Sequence, residues 1–230
     1  MKYRLIRRAL LGIVLAGALA IGLITAPVLA TGYHMYREAI EEKPIEDVVE
    51  EIQGRESYIP LDQISDDFKE MIIETEDHRF YYHLGFDPIA IARATCYNIK
   101  AGAYIQGGST ITQQLSKNLY FDFEKRMERK VAELFMAVQL EVMYTKEEIL
   151  ELYCNVIYFG EGCYGIRDAA MHYYSCTPEK LTKEEADALV YTIKCPAKYN
   201  PHARAKQLHE PEQKEETAQK KSWGLLGIMP

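Results

Sequence analysis

The stretch RKVAELFMAVQLEVMYTKEEILELYCN, residues 129–155, decides the fold class. Val131, Leu134, Phe135, Val138 and Val142 recur at helical spacing, which predicts one long helix that contains Glu133. Thr145 with Glu148 has the spacing of a capping box, in which each side chain satisfies an otherwise orphaned backbone donor, so a second helix is expected to start there. Thr182 with Glu185 repeats the pattern further on. Toward the N-terminus, Ile64, Phe68, Met71, Ile72 and Thr75 mark a helix leading to Glu76. Asp87 followed by Pro88 supplies a cap and a proline at the first helical position, opening the run Ile89 to Ile99. No long alternating strand pattern and no internal repeat accompany these signals, so the expected class is mainly α.

A chain of 230 residues, 48% of them hydrophobic, can bury one sizeable core. The net charge of -7 argues against a general nucleic-acid binder, because neutralising phosphates needs a clustered excess of Lys and Arg. The five cysteines, Cys96, Cys154, Cys163, Cys176 and Cys195, lack the paired short spacing of zinc sites and disulfide scaffolds and read as mostly buried thiols.

Lys2, Arg4, Arg7 and Arg8 precede an apolar run, residues 9–30, without a charged side chain and long enough to cross a bilayer. Cationic flanks stay on the cytoplasmic side, so a single-pass anchor with the rest of the chain outside is expected. Val28, Leu29 and Ala30 also resemble a cleavage site, but the apolar run exceeds the usual signal-peptide core. Residues 31–57, with Glu41, Glu42, Glu46, Glu50 and Glu51, read as a polar stalk. The globular domain is expected over 58–201, and a charged tail over 202–230.

Three segments bring together side chains able to do chemistry. Glu76, Asp77, His78, Arg79, Phe80, His83, Gly85, Phe86 and Asp87 crowd acids, imidazoles and aromatics into one helix-to-loop passage, where a carboxylate can act as a general base. Alone, Glu76 and Asp77 read as an ordinary acid pair at a helix end. Gly107, Gly108, Ser109, Thr110, Gln113 and Gln114, followed by Lys117 and Asn118, form a polar cradle that exposes backbone amides to an anion, or else a plain turn and cap. Arg129, Lys130 and Glu133 share a helix, with Arg129 and Glu133 one turn apart, as a phosphate-facing cation beside a second carboxylate or as a surface salt bridge. His78 and His83 lack a third ligand by spacing, which speaks against a structural zinc site.

In this order, EDHRFYYHLGFD at Glu76 to Asp87, GGSTITQQLSKN at Gly107 to Asn118, RKVAE at Arg129 to Glu133, KEEILELYCN at Lys146 to Asn155 and YFGEGCYGIRDAA at Tyr158 to Ala170 resemble glycosyltransferase family 51. That family comprises the glycosyltransferase domain of class A penicillin-binding proteins and the monofunctional peptidoglycan glycosyltransferases. Cys154 departs from the family's usual aliphatic residue, and Arg167 falls where the pattern is looser.

The resemblance implies a two-lobed, lysozyme-like helical domain and a substrate, lipid II, that is polymerised with inversion into β-1,4-linked glycan strands. By position, it makes Glu76 the general base. Glu133 becomes a second catalytic carboxylate that orients the cations or holds a divalent ion, Mg or Mn, against pyrophosphate. Lys117, Arg129 and Lys130 neutralise the departing pyrophosphate, and Asp77, Phe80, His83, Ser109, Thr110, Gln113, Gln114 and Asn118 bind substrate. The implied partners are lipid II, the growing glycan chain, the bacterial membrane and other cell-wall synthesis proteins. A peptide-crosslinking domain is not expected in this chain, which reads as either a monofunctional polymerase or a fragment of a larger protein. Two rivals stand beside this reading: a lytic enzyme of lysozyme type and a non-catalytic scaffold.

Overall fold

A computed structural model describes residues 2–121 and 126–206. Their α-helices include α1 (Lys2–Glu42), α2 (Ile45–Gln53), α3 (Asp66–Asp77), α4 (Pro88–Ala101), α5 (Ile111–Tyr120), α6 (Met127–Met143), α7 (Lys146–Val156), α8 (Ile166–Tyr174), α9 (Lys183–Thr192) and α10 (Pro196–Tyr199), with a further helical stretch at 201–206. Among the described residues no strand occurs, only an isolated bridge between Tyr158 and Tyr164. The mainly α expectation holds. The caps form as their residue types dictate: Asp87 accepts from the Ile89 amide at the start of α4, and Thr182 and Glu185 close a capping box on α9.

The described residues divide into two compact units, one from Met1–Glu51 with Tyr82–Thr145, the other from Ile52–Tyr81 with Lys146–Pro230. In the first unit α6 is the central helix. Ala132, Met136, Ala137 and Leu140 are buried along it, and α5 adds Ile111 and Leu115. The second half of α1 lies against α6: Tyr33 meets Phe135 edge-on at 5.2 Å, Tyr36 stacks on the same ring at 5.9 Å, and the Tyr36 hydroxyl donates to Gln139. Gly32 allows that approach, because a Cβ there would stand 2.5 Å from Val131 Cβ and 2.6 Å from the Glu128 carbonyl oxygen. Gly85, at φ 86°, sits equally close to the backbone of Ala137, a position only glycine fills without strain.

In place of a stalk, residues 31–57 carry α1 on to Glu42 and then form α2, with Ile45, Val48 and Val49 buried. The acidic side chains disguise a stripe at i, i+3, i+4 that seals one face of α2. The domain boundary expected at residue 58 therefore lies inside the folded structure, whose packing already begins at Gly32. The first part of α1 is exposed and apolar, and α1 is long and apolar enough to cross a membrane.

In the second unit α3 and α7 to α10 enclose Phe68, Ile72, Tyr153, Phe159, Ile166 and Leu189. Two side chains of α7 hold the incoming segment 58–61. Asn155 accepts from the Ile59 amide and donates to the Ile59 carbonyl, both at 2.8 Å, while Glu151 accepts from the Leu61 amide and the Tyr58 hydroxyl. Burial, followed by that bond to Glu151, pushes the Tyr58 phenol up to about 12. The cysteines divide: Cys154 and Cys163 are buried, Cys176 is half-buried, and Cys96 and Cys195 are exposed, so the expectation of mostly buried thiols holds for two of the five. The tail expected over 202–230 is helical through Lys206, and its remainder lies outside the described residues.

Gly32→Ala is expected to destabilise the protein by roughly 1–3 kcal/mol through overpacking against α6. Gly22→Ala, where a Cβ meets nothing within 4 Å, should leave the melting temperature in detergent unchanged or slightly raised; equal effects of the two would contradict the α1–α6 packing.

Candidate active site

The sequence segments singled out for chemistry fall in both units, and each unit organises its own share. In the first, Arg129, Lys130 and Glu133 occupy adjoining turns of α6. The Glu133 side chain has 0% exposure; its Oε1 lies 3.3 Å from Arg129 Nη1, and its Oε2 accepts from Lys130 Nζ at 2.5 Å. Arg129 is itself nearly buried at 8%, whereas Lys130 is 43% exposed and also donates to Ser109 Oγ at 3.3 Å. This is the buried alternative to a surface salt bridge. One anion fixes two cations, and one of those, Lys130, still reaches solvent beside a hydroxyl.

Of the two readings of the segment before α5, the structure shows the turn and cap. Thr110 caps α5 in a capping box with Gln113, the Thr110 amide donating to Gln113 Oε1 and the Gln113 amide to Thr110 Oγ1, each at 3.1 Å. Thr110 Oγ1 donates in turn to the Gly85 carbonyl at 2.7 Å. Both side chains are buried, so they hold the loop in place rather than line an open surface. Gly108 serves close packing, since a Cβ would meet the backbone of Ala90 and Ile91 at 3.0–3.2 Å. Ser109, Gln114 and Lys117 remain half-buried and Asn118 exposed, which leaves these four in reach of a ligand. His83 and Asp87 are buried in the loop that precedes α4.

In the second unit Glu76 stands half-buried in the last turn of α3, with Asp77 buried beside it. Phe80 is wholly buried and carries the Lys146 ammonium over its ring at 4.4 Å, which makes it a core residue instead of the substrate contact expected from the resemblance. Tyr153 of α7 was not singled out from sequence. It is fully buried, and burial, then the charges of Glu76, Cys154 and Asp77, hold its phenol well above the ordinary value. Its only sequence signal is its place in the buried stripe of LELYCN, where a hydroxyl at a core position asks for a partner.

Both Glu133 oxygens already face a cation, Arg129 on one and Lys130 on the other. The arrangement fits a carboxylate that orients Arg129 and Lys130.

Comparison with known proteins adds sequence relationships to this geometry. The profile of the family described as Transglycosylase matches residues 41–221. The chain is 44% identical over 144 residues to penicillin-binding protein 1A of Aquifex aeolicus, covering 63% of this chain and 20% of that protein. It is 42% identical over 167 residues to penicillin-binding protein 1A/1B of Bacillus subtilis, covering 72% and 18%. With the biosynthetic peptidoglycan transglycosylase of Thiobacillus denitrificans it shares 38% identity over 148 residues, 64% of each chain. The chain thus spans only a small part of the length of the penicillin-binding relatives it matches.

Removing the anion at the centre of the α6 cluster, as in Glu133→Ala, is expected to cost about 3–5 kcal/mol, because Arg129 would stay buried beside Lys130 without it. Lys130→Ala, on the partly exposed partner, should cost clearly less; thermal unfolding in detergent measures both, and equal losses would contradict the burial difference.

Proposed function

The chain belongs to the Transglycosylase family, and on that premise we propose that it is a membrane-anchored peptidoglycan glycosyltransferase, polymerising lipid II into β-1,4-linked glycan strands with inversion and release of polyprenyl pyrophosphate. The observation that carries this reading is the Arg129–Glu133–Lys130 cluster: a pair of cations held in advance by a buried carboxylate, with Lys130 open to solvent beside Ser109. A departing pyrophosphate develops negative charge, and preorganised cations lower its cost most because they need not reorganise during the reaction.

In the proposed reaction Glu76 takes the proton from the 4-hydroxyl of the acceptor sugar. That oxygen attacks the anomeric carbon of the donor from the face opposite the α-linked pyrophosphate, so the new bond is β. The C–O bond to pyrophosphate breaks, and Lys130, Arg129 and Lys117 take up the charge of the leaving group. Glu133 acts by orienting Arg129 and Lys130. Ser109, Gln114 and Asn118 contact sugar or phosphate, while Thr110 and Gln113 cap the helix that carries Gln114 and Asn118. Tyr153, its phenol held protonated by burial and then by the charge of Glu76, is a neutral group within electrostatic reach of that carboxylate.

The anchor has its N-terminus in the cytoplasm, because Lys2, Arg4, Arg7 and Arg8 precede the apolar run, and the folded units then lie on the outer face. A lytic enzyme is the weaker reading, since cleaving a neutral glycosidic bond needs no clamp for pyrophosphate.

Incubation of the full chain in detergent with labelled lipid II is expected to give lysozyme-sensitive polymer. Glu76→Gln should lower the rate by roughly 10²–10⁴-fold while the melting temperature stays near that of the wild type. Shortening of preformed glycan by the wild-type chain, or full activity of Glu76→Gln, would overturn the proposal.

A further inference from the structure

Away from the residues assigned above, three side chains of the second unit converge on one point. Glu161 lies in the tight turn between Tyr158 and Tyr164, His172 in the last turn of α8, and His202 in the helical segment 201–206 that follows α10. One carboxylate oxygen, Glu161 Oε2, lies 2.9 Å from His172 Nε2 and 2.8 Å from His202 Nδ1, and the three atoms fall within 4.8 Å of one another. The side chains are 36%, 39% and 46% exposed, so the point they share is open to ions from solvent.

The cluster is held in shape by its surroundings. The Tyr173 ring meets both imidazoles edge-on, at 4.7 Å to His172 and 5.0 Å to His202, and its hydroxyl is tied to the Phe159 carbonyl. Glu161 itself adopts φ 51°, a left-handed conformation that costs a non-glycine residue and is kept only where the surroundings demand it.

We infer that Glu161, His172 and His202 form a divalent transition-metal site of the zinc type, with two imidazoles and one carboxylate as ligands and water completing the coordination. The donor set suits zinc, which favours imidazole nitrogen and carboxylate oxygen in tetrahedral sites. Bonds of about 2.0–2.1 Å place tetrahedral ligands roughly 3.3 Å apart, so Oε2 and each nitrogen need to separate by only about half an ångström. Binding consumes the lone pairs of His172 Nε2 and His202 Nδ1: a neutral ring moves its proton to its other nitrogen, and a protonated ring releases one proton to solvent. A bound ion joins segment 201–206 to α8 and to the 158–164 turn, three elements brought together only in the folded unit. The site is independent of the glycosyltransferase reading.

The test uses the full chain in detergent, stripped with chelator and then freed of it, and titrated separately with Zn²⁺ and Co²⁺. Saturable binding of one ion per chain is expected, with Co²⁺ giving tetrahedral d–d absorption. Exposed Cys96 and Cys195 are replaced by Ser in the background, so that absence of a thiolate-to-cobalt charge-transfer band identifies the ligands as nitrogen and oxygen. His172→Gln, His202→Gln and Glu161→Gln should each weaken Zn²⁺ binding at least about tenfold, and the rise in melting temperature that Zn²⁺ gives the parent should vanish in each. Binding that survives both His substitutions, a thiolate band, or no saturable binding in the parent would overturn the site.

Discussion

A carboxylate without solvent exposure has to be neutralised where it stands, and in the first unit that requirement falls on Glu133. The side chain arises from a turn of α6 whose neighbouring positions, Ala132, Met136 and Ala137, are core. Water cannot reach it, so the compensation comes from Arg129 and Lys130 on the same helix. Burying such charges is costly, and the pairing repays it only when the geometry is held by the rest of the fold. Here α5 contributes the support, with the Ser116 hydroxyl donating to the Glu133 backbone carbonyl at 3.1 Å and Leu115 packed in the same interior. An arrangement of this kind is ready before any ligand arrives, which is the condition under which charges act most strongly on a reacting group.

The same helix also receives the second part of α1. α1 is one continuous helix of 41 residues, whose apolar first part is suited to a bilayer and whose second part lies on α6 through Gly32, Tyr33 and Tyr36. A flexible stalk would leave the height and tilt of the first unit free. A helix packed through aromatic contacts does not, and for a proposed substrate tethered in the same membrane that restriction limits the orientations in which it is met.

In the second unit the polar groups of α7 are spent on architecture. Asn155 and Glu151 supply hydrogen-bond partners for the backbone of segment 58–61, and Tyr153 is fully buried. Glu76 stands half-buried in the last turn of α3, and its charge is among those acting on the buried Tyr153 phenol.

The sequence by itself determined the helical class, the starts of α4 and α9, the apolar first part of α1 and the family resemblance, because each is written in local spacing: a cap three residues from its partner, a stripe at 3.6 residues, a run without charge. It also placed Arg129 and Glu133 one turn apart. Tertiary structure decided whether that pair was a surface bridge or a buried one, since burial depends on what packs above a helix face and leaves no trace in the spacing. It turned Phe80, Thr110 and Gln113 from expected ligand contacts into packing and capping residues, and the acidic 31–57 segment from stalk into folded helix. It alone brought Glu161, His172 and His202 to one point, because residues 11 and 41 positions from Glu161 become its neighbours only when the chain between them has closed its loop, and no local pattern records that closure.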